Sequence, residues 1–190
     1  MRREEALERL DDRALPLEKV RDIYEAFADD MEVVGKVAMN LSLRTSVYER
    51  QKGAHPIMTE LLERLAGAED MGARWAVAKN PHTPPHILQK LASDEINLVR
   101  ALAATNPNTP IECLERLYED EKIVRDGLSG NPNTPPHILE KLAQDSDKLV
   151  RLRVAENPAT PKEALMRLAQ DSDKDVAKAA EIKLKERGDG

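Results

Sequence analysis

The chain of 190 residues is long enough for one domain with a sizeable core, but only 3% of its residues are aromatic, so Leu, Val, Ile and Ala must build that core. Charged residues of both signs make up 34% of the chain and the formal net charge is −6, which gives no basic excess that would indicate a nucleic-acid partner. The single cysteine, Cys113, excludes an intramolecular disulfide and a multi-cysteine metal site. The N-terminal residues lack the apolar segment of a secretory signal, and no apolar stretch is long enough to span a bilayer, so we expect a cytoplasmic protein that does not enter a membrane.

Residues 1–72 carry most of the negative charge and are predicted to form an N-terminal cap followed by degenerate repeats. They hold 11 basic and 16 acidic side chains, a net charge of −5, which leaves −1 for residues 73–190. A capping helix is predicted within residues 3–14, and an apolar-faced helix follows with Val20, Ile23, Tyr24 and Phe27 inward. Residues 29–40 match the second helices of the later repeats, and residues 41–54 are an insertion before the next apolar helix.

Residues 73–176 contain a regular repeat. Four Asn-Pro pairs are separated by 26, 25 and 26 residues. Each Asn is followed three residues later by Thr-Pro, and leucines recur eight and eleven residues after it. An Asp follows the second leucine, and an Arg precedes each Asn by six residues. A fixed period of this length is typical of solenoids, in which stacked repeats build a continuous core. The pairs are Asn80-Pro81, Asn106-Pro107, Asn131-Pro132 and Asn157-Pro158.

The Thr-Pro pairs predict helix starts, because a Thr side chain can accept a hydrogen bond from the first turn and Pro is tolerated at the first helical position. Glu112 and Glu163 would complete capping boxes, at a place that His86 and His137 take in the other repeats. Each Asn-Pro pair ends the preceding helix. Each repeat is therefore predicted to be a helix of about three turns, an Asp-containing turn and a second short helix, compact enough to be 3₁₀. The predicted N-caps are Thr83, Thr109, Thr134 and Thr160.

The segment VRLRVAENPATPKEALMRLAQDSD resembles the leucine-rich repeat variant family of bacterial proteins. This resemblance implies repeats that alternate an α-helix with a short 3₁₀-helix in a right-handed superhelix, and it implies no enzymatic activity. Some members hold an iron–sulfur centre in an N-terminal cysteine cluster, but residues 1–53 contain no cysteine, so no cofactor is expected. The predicted fold is an all-α, HEAT-like solenoid of about six two-helix repeats, closed by a charged C-terminal cap at residues 177–190.

The repeated arginine is the main candidate for a binding residue. One interpretation is a basic stripe that binds phosphates or acidic peptides. The other is structural: each Arg pairs with the Asp five or six residues before it, or bonds to carbonyls at a helix end. The recurrence of Arg and Asp together favours the structural interpretation. The column consists of Arg74, Arg100, Arg125 and Arg151.

Tryptophan, histidine and cysteine provide three further candidates for a site. Trp75 occupies a variable repeat position and is either an exposed binding anchor or covered by the inserted segment, with the second slightly favoured. His82 and His86 have the i, i+4 spacing of metal ligands, but a helix start separates them, so no metal site is predicted. Cys113 aligns with apolar residues and is expected to be buried and inert.

These observations predict a non-catalytic scaffold whose superhelical surface binds a protein partner. The alternative is a HEAT-like nucleic-acid-binding array that uses the arginine column. An enzyme is disfavoured because no catalytic constellation is present, and the chain is expected to be a monomer or weak dimer without nucleic acid.

Overall fold

A computed structural model describes residues 1–44 and 55–188. Within these residues the chain forms thirteen α-helices and no strand, which confirms the all-α prediction. The helices are α1 (Arg3–Arg9), α2 (Leu17–Ala26), α3 (Met31–Leu43), α4 (Pro56–Leu65), α5 (Met71–Lys79), α6 (Pro85–Leu91), α7 (Asn97–Thr105), α8 (Ile111–Leu117), α9 (Lys122–Gly130), α10 (Pro136–Leu142), α11 (Lys148–Glu156), α12 (Lys162–Leu168) and α13 (Lys174–Glu186).

The helices form a solenoid in which α1 precedes six helix pairs. Each odd-numbered helix packs against the next odd-numbered helix along the chain, from α1 to α13. The even-numbered helices each pack on the odd-numbered helix that follows them. Stacking therefore runs along one layer of odd-numbered helices, and the predicted repeat solenoid is confirmed.

The core is a single cluster of small and medium aliphatic side chains, as the low aromatic content requires. In the even-numbered helices, Leu88, Leu114, Leu139 and Leu165 have no exposed surface. In the odd-numbered helices a buried valine recurs at Val99, Val124, Val150 and Val176, beside mostly small residues and the larger Leu128 and Val154. Small residues on the odd-numbered helices allow them to approach one another closely.

The relative lengths of the two helices differ from the prediction. In the regular repeats the first helix has seven residues, about two turns, and the second has nine. The second helix is α-helical, and no 3₁₀-helix is present in the described part of the chain. The Thr-Pro start and the Asp turn confine the first helix, whereas nine uninterrupted residues before Asn-Pro suffice for i→i−4 bonding.

The predicted N-cap role of the threonines is wrong. The N-cap residue is the following proline, for example Pro84 or Pro135, and no side chain caps these helices. Each Thr hydroxyl instead donates a hydrogen bond of 2.5–2.7 Å to a carbonyl in the last turn of the preceding helix. Thr134, for instance, bonds to the carbonyl of Leu128. The buried hydroxyl is used where helix-end carbonyls lack partners. The capping boxes predicted at Glu112 and Glu163 are wrong for the same reason, because proline is the N-cap residue of α8 and α12 as well. At the equivalent position, His86 and His137 lie 3.6 Å from Glu63 and Glu115 of the preceding repeat.

The asparagines do more than end helices, because they connect successive repeats. The amide nitrogens of Asn106, Asn131 and Asn157 each donate to two backbone carbonyls of the preceding repeat at 2.7–3.0 Å. Their side-chain oxygens accept a hydrogen bond from the backbone N–H two residues later. All three side chains are buried. We call this row of buried amides the asparagine ladder.

The two ends of the solenoid are closed by different residues. At the N-terminus, Asn40 donates to the carbonyls of Leu10 and Asp12, and Arg3 pairs with Asp30. At the C-terminus, Arg187 donates to the carbonyls of Thr160 and Pro158 in the last regular repeat. Helix α3 continues to Leu43, so the predicted insertion begins in helix, and its residues 45–54 lie outside the described residues.

Candidate binding surface

The four arginines of the repeat form a second ladder, which we call the arginine ladder. Each lies on an odd-numbered helix, and its Nε bonds at 2.7 Å to the carboxylate of an aspartate in the following repeat. Each Nη1 donates at 2.8–2.9 Å to a backbone carbonyl five or six residues earlier. One guanidinium thus joins the start of its own helix to the next repeat. The pairs are Arg74–Asp94, Arg100–Asp120, Arg125–Asp145 and Arg151–Asp171.

This arrangement corrects the predicted pairing. For Arg100, Arg125 and Arg151, the aspartate five or six residues earlier contributes only its backbone carbonyl, and for Arg74 this carbonyl is that of Ala68. The carboxylate comes from the aspartate 20 residues later. The sequence favoured the nearer aspartate because the spacing of residues along the chain does not show which side chains meet when repeats stack. The predicted bonding to helix-end carbonyls agrees with the structure.

The arginine ladder is largely removed from solvent. The four arginine side chains are 11–25% exposed, and their aspartates 7–17%. Hydrogen bonding to Arg100 and Arg151 lowers the pKa of Asp120 and Asp171, and the same bonds raise the pKa of the two arginines. Because these N–H donors are already bonded within the protein, few donors of each guanidinium are left to bind a phosphate. The geometry therefore supports a structural role.

Both ladders are interrupted at one junction, between α3 and the α4–α5 pair. Val34 takes the arginine position and Ala68 the aspartate position. At the same junction the amide nitrogen of Asn80 is buried and finds no hydrogen-bond partner among the described residues, although its oxygen accepts from the N–H of His82. A pocket of about 430 Å³ opens beside Val34 and Ala68.

Trp75 is partly buried and packs against the core. The Lys79 ammonium lies 5.1 Å from the centre of its ring. The segment expected to cover Trp75 falls mainly on residues 45–54, outside the described residues. Its role as a binding anchor therefore stays a prediction.

Histidine and cysteine provide no metal centre in the part of the chain that the structure describes, where no three His, Cys, Asp or Glu residues are grouped for a metal ion. Cys113 is 1% exposed within α8. One buried thiol does not fit an iron–sulfur cluster, which requires several cysteine ligands. In the described residues no helix has the length and apolar character to cross a membrane.

A row of exposed apolar side chains was missed by the sequence interpretation. Leu98, Ile123 and Leu149 are 37%, 39% and 48% exposed, each two residues before an arginine of the ladder. They occupy equivalent repeat positions on α7, α9 and α11, which stack on one another. The signal in the sequence was an apolar residue recurring beside the arginine. We call these three residues the apolar stripe.

The surroundings of the apolar stripe are polar. The Lys122 ammonium lies 3.3 Å from the Asp147 carboxylate, and Lys148 lies 3.1 Å from Asp173. The equivalent positions in α5 and α13 hold Gly72 and Asp175, so the stripe ends there. An apolar centre with a charged rim is the usual composition of a protein interface.

The fold and this surface define a helical repeat protein, and comparison with known proteins agrees. The family model described as leucine rich repeat variant matches residues 149–173. A solved structure described as a leucine-rich repeat variant with a novel repetitive protein structural motif is 23% identical in sequence, with a TM-score of 0.50. The similarity covers 95% of this chain and 81% of that one. No curated protein matches the sequence. The resemblance to leucine-rich repeat variants is thus confirmed, and the structural similarity extends the repeat fold over nearly the whole chain.

Proposed function

We propose that this protein is a non-catalytic scaffold that binds a protein partner through the apolar stripe. The observation that carries the proposal is the row of Leu98, Ile123 and Leu149, exposed on three stacked helices and bordered by ion pairs. Exposed apolar residues in a continuous row are a mark of interaction surfaces, whereas single ones are common on any surface.

A nucleic-acid-binding array has weaker support. The arginines that would contact phosphates are bonded to aspartates of the next repeat. The net charge of −1 over residues 73–190 also gives no long-range attraction to a polyanion.

The test is affinity capture from the native host with the triple variant Leu98→Ser, Ile123→Ser and Leu149→Ser. The matched control changes two apolar residues of similar exposure on the even-numbered helices, Ile111→Ser and Met166→Ser. We expect the wild type and the control to recover the same partner protein in equal amounts, with or without nuclease. The triple variant should not recover that partner. A partner retained by the triple variant would contradict the use of the stripe, and one released by nuclease would favour the nucleic-acid array.

A further inference from the structure

The pocket between α3 and α4–α5 lies where the repeat pattern would otherwise place an arginine side chain. Val34 is six residues before Asn40, the spacing that separates each ladder arginine from its asparagine. Val34 is 4% exposed and is one of the residues that line the pocket. Ala28, Asp29, Ala68, Glu69 and Asp70 are among the residues that line its walls.

The adjacent repeat shows how a guanidinium is held at the corresponding place. Arg74 donates to the carbonyls of Ala68 and Glu69 at 2.9 Å, and to the carboxylates of Asp94 and Glu95. Arg100 and Arg151 likewise donate to two successive carbonyls and to an aspartate of the next repeat. Arg125 donates to one such carbonyl and to one such aspartate, so carbonyl and carboxylate acceptors at this place belong to the fold and not to one side chain.

The pocket retains most of these acceptors. Ala28 and Asp29 stand at the positions of Ala68 and Glu69 in the next repeat, and no donor from residues 1–44 or 55–188 reaches either carbonyl oxygen. Glu69 stands at the position of Glu95, the outer carboxylate that Arg74 also contacts. Only the inner carboxylate is absent, because Ala68 replaces aspartate.

The charge around the pocket favours a cation. Among the described residues that line it, Asp29, Glu69 and Asp70 are acidic and Arg64 is basic. Arg64 lies over the ring of Tyr24 at 4.5 Å and 3.7 Å from Glu25, so its charge has partners of its own. The net charge of −5 over residues 1–72 adds a favourable long-range field.

We propose that this pocket binds the guanidinium of an arginine side chain presented by a partner protein. The planar guanidinium can donate to two backbone carbonyls and a carboxylate at once, as in the ladder, whereas a lysine ammonium lacks that fork geometry. The site goes beyond the scaffold function proposed above, because it is separate from the apolar stripe and can be tested without knowing the partner.

The experiment is a titration of the full chain with N-acetyl-arginine methylamide, followed by NMR of the Val34, Ala28 and Ala68 methyl groups. The lysine and citrulline analogues serve as matched probes, since citrulline keeps the shape of arginine and loses its charge. We expect saturable shifts at these methyl groups with arginine, and binding at least about tenfold weaker with either analogue, a difference of about 1.4 kcal/mol.

Two variants locate the site. Val34→Arg combined with Ala68→Asp restores the ladder internally and should abolish the shifts at the remaining alanine methyl group, while Glu69→Gln, at an exposed position, should fold normally and weaken binding several-fold. Equal binding of the three probes, no saturable shift at Val34, or unchanged arginine binding in Glu69→Gln would each overturn the proposal.

Discussion

Asn131 and Asn80 occupy the same repeat position and are both fully buried, yet their amide nitrogens differ in hydrogen bonding. Asn131 donates to two carbonyls of the preceding repeat, at 2.7 and 2.9 Å, whereas no acceptor in residues 1–44 or 55–188 reaches the Asn80 nitrogen. A buried carbonyl that loses its donor costs about 1–3 kcal/mol. The contribution of one asparagine to the ladder is therefore measurable by comparing the two positions.

We expect Asn131→Ala to lower the free energy of unfolding by about 1–3 kcal/mol more than Asn80→Ala, because only the first change leaves two carbonyls without their donor. Urea unfolding of both variants provides the measurement. Equal losses would show that the inter-repeat hydrogen bonds contribute nothing beyond side-chain packing.

Acid sensitivity is a second property of single residues. The guanidinium of Arg151 lowers the pKa of Asp171 in the folded state, so this pair stabilises the fold fully above about pH 4, the unfolded value, and less as pH falls through the lowered folded pKa. We expect the stability difference between the wild type and Asp171→Asn to be largest near neutral pH and to narrow below about pH 4. Thermal melting of both proteins across that pH range measures the stability difference. A stability difference that does not change with pH would contradict the proposed contribution of the Arg151–Asp171 pair.

At the scale of the helix, Gly127 sets the separation of α9 from α7. A β-carbon built at Gly127 would lie 2.4 Å from the Ala101 carbonyl oxygen and 2.8 Å from the Thr105 hydroxyl. The backbone contact cannot be relieved by rotating a side chain. Gly130, at the end of the same helix, would meet only Arg153 at 3.7 Å.

Gly127→Ala is therefore expected to destabilise the protein by about 1–3 kcal/mol, as other overpacked sites do. Gly130→Ala is the matched control and should be neutral or stabilising by up to about 1 kcal/mol, because alanine favours helix. Chemical denaturation of both variants measures these changes in the free energy of unfolding. A stabilised Gly127→Ala variant would show that α7 and α9 are not in close contact.

Helix boundaries show what sequence could and could not predict. The Asn-Pro stops and the leucine spacing gave the order of helices and the buried face correctly, because both depend on local chemistry. The threonines were misassigned as N-caps because a hydroxyl followed by proline suits either a helix start or the preceding helix end. The hydrogen bond from the Thr134 hydroxyl to the Leu128 carbonyl shows that the threonine belongs to the preceding helix end. This contact forms only in the folded chain, so the sequence alone could not reveal it.

The candidate site was less predictable than the fold. Arg100 and Asp120 are 20 residues apart, and their contact depends on how repeats stack. The apolar stripe is defined by exposure, which a recurring leucine or isoleucine does not reveal by itself. The pocket at Val34 depends on both the interrupted repeat and the stacking.

For the whole molecule, the two interrupted ladders predict uneven stability. Among the described residues, the junction between α3 and α5 lacks the arginine–aspartate pair and a carbonyl partner for the Asn80 amide nitrogen. By contrast, both ladders join α5 to α11, and the Arg151–Asp171 pair joins α11 to the repeat of α13. In a solenoid the stability of each junction is nearly local.

We expect the buried amides of α1 to α3 to exchange hydrogen through an opening of lower free energy than those of α7 to α11, as measured by native-state hydrogen exchange. Val34→Arg with Ala68→Asp should raise the protection of α3 and leave α11 unchanged. Uniform protection along the chain would show that the α3–α5 junction is not weaker than the others.

The central claim is that the repeated arginines join successive repeats, and a double-mutant cycle on Arg100 and Asp120 tests it most directly. Nε and Nη2 of Arg100 bond to the Asp120 carboxylate at 2.7 and 2.9 Å, with both side chains less than one-fifth exposed. We predict a coupling free energy of about 1–3 kcal/mol from the unfolding of Arg100→Ala, Asp120→Ala and the double variant. A coupling free energy near zero, with each single variant as stable as the wild type, would contradict the claim. It would instead favour arginines that face solvent and form a binding stripe.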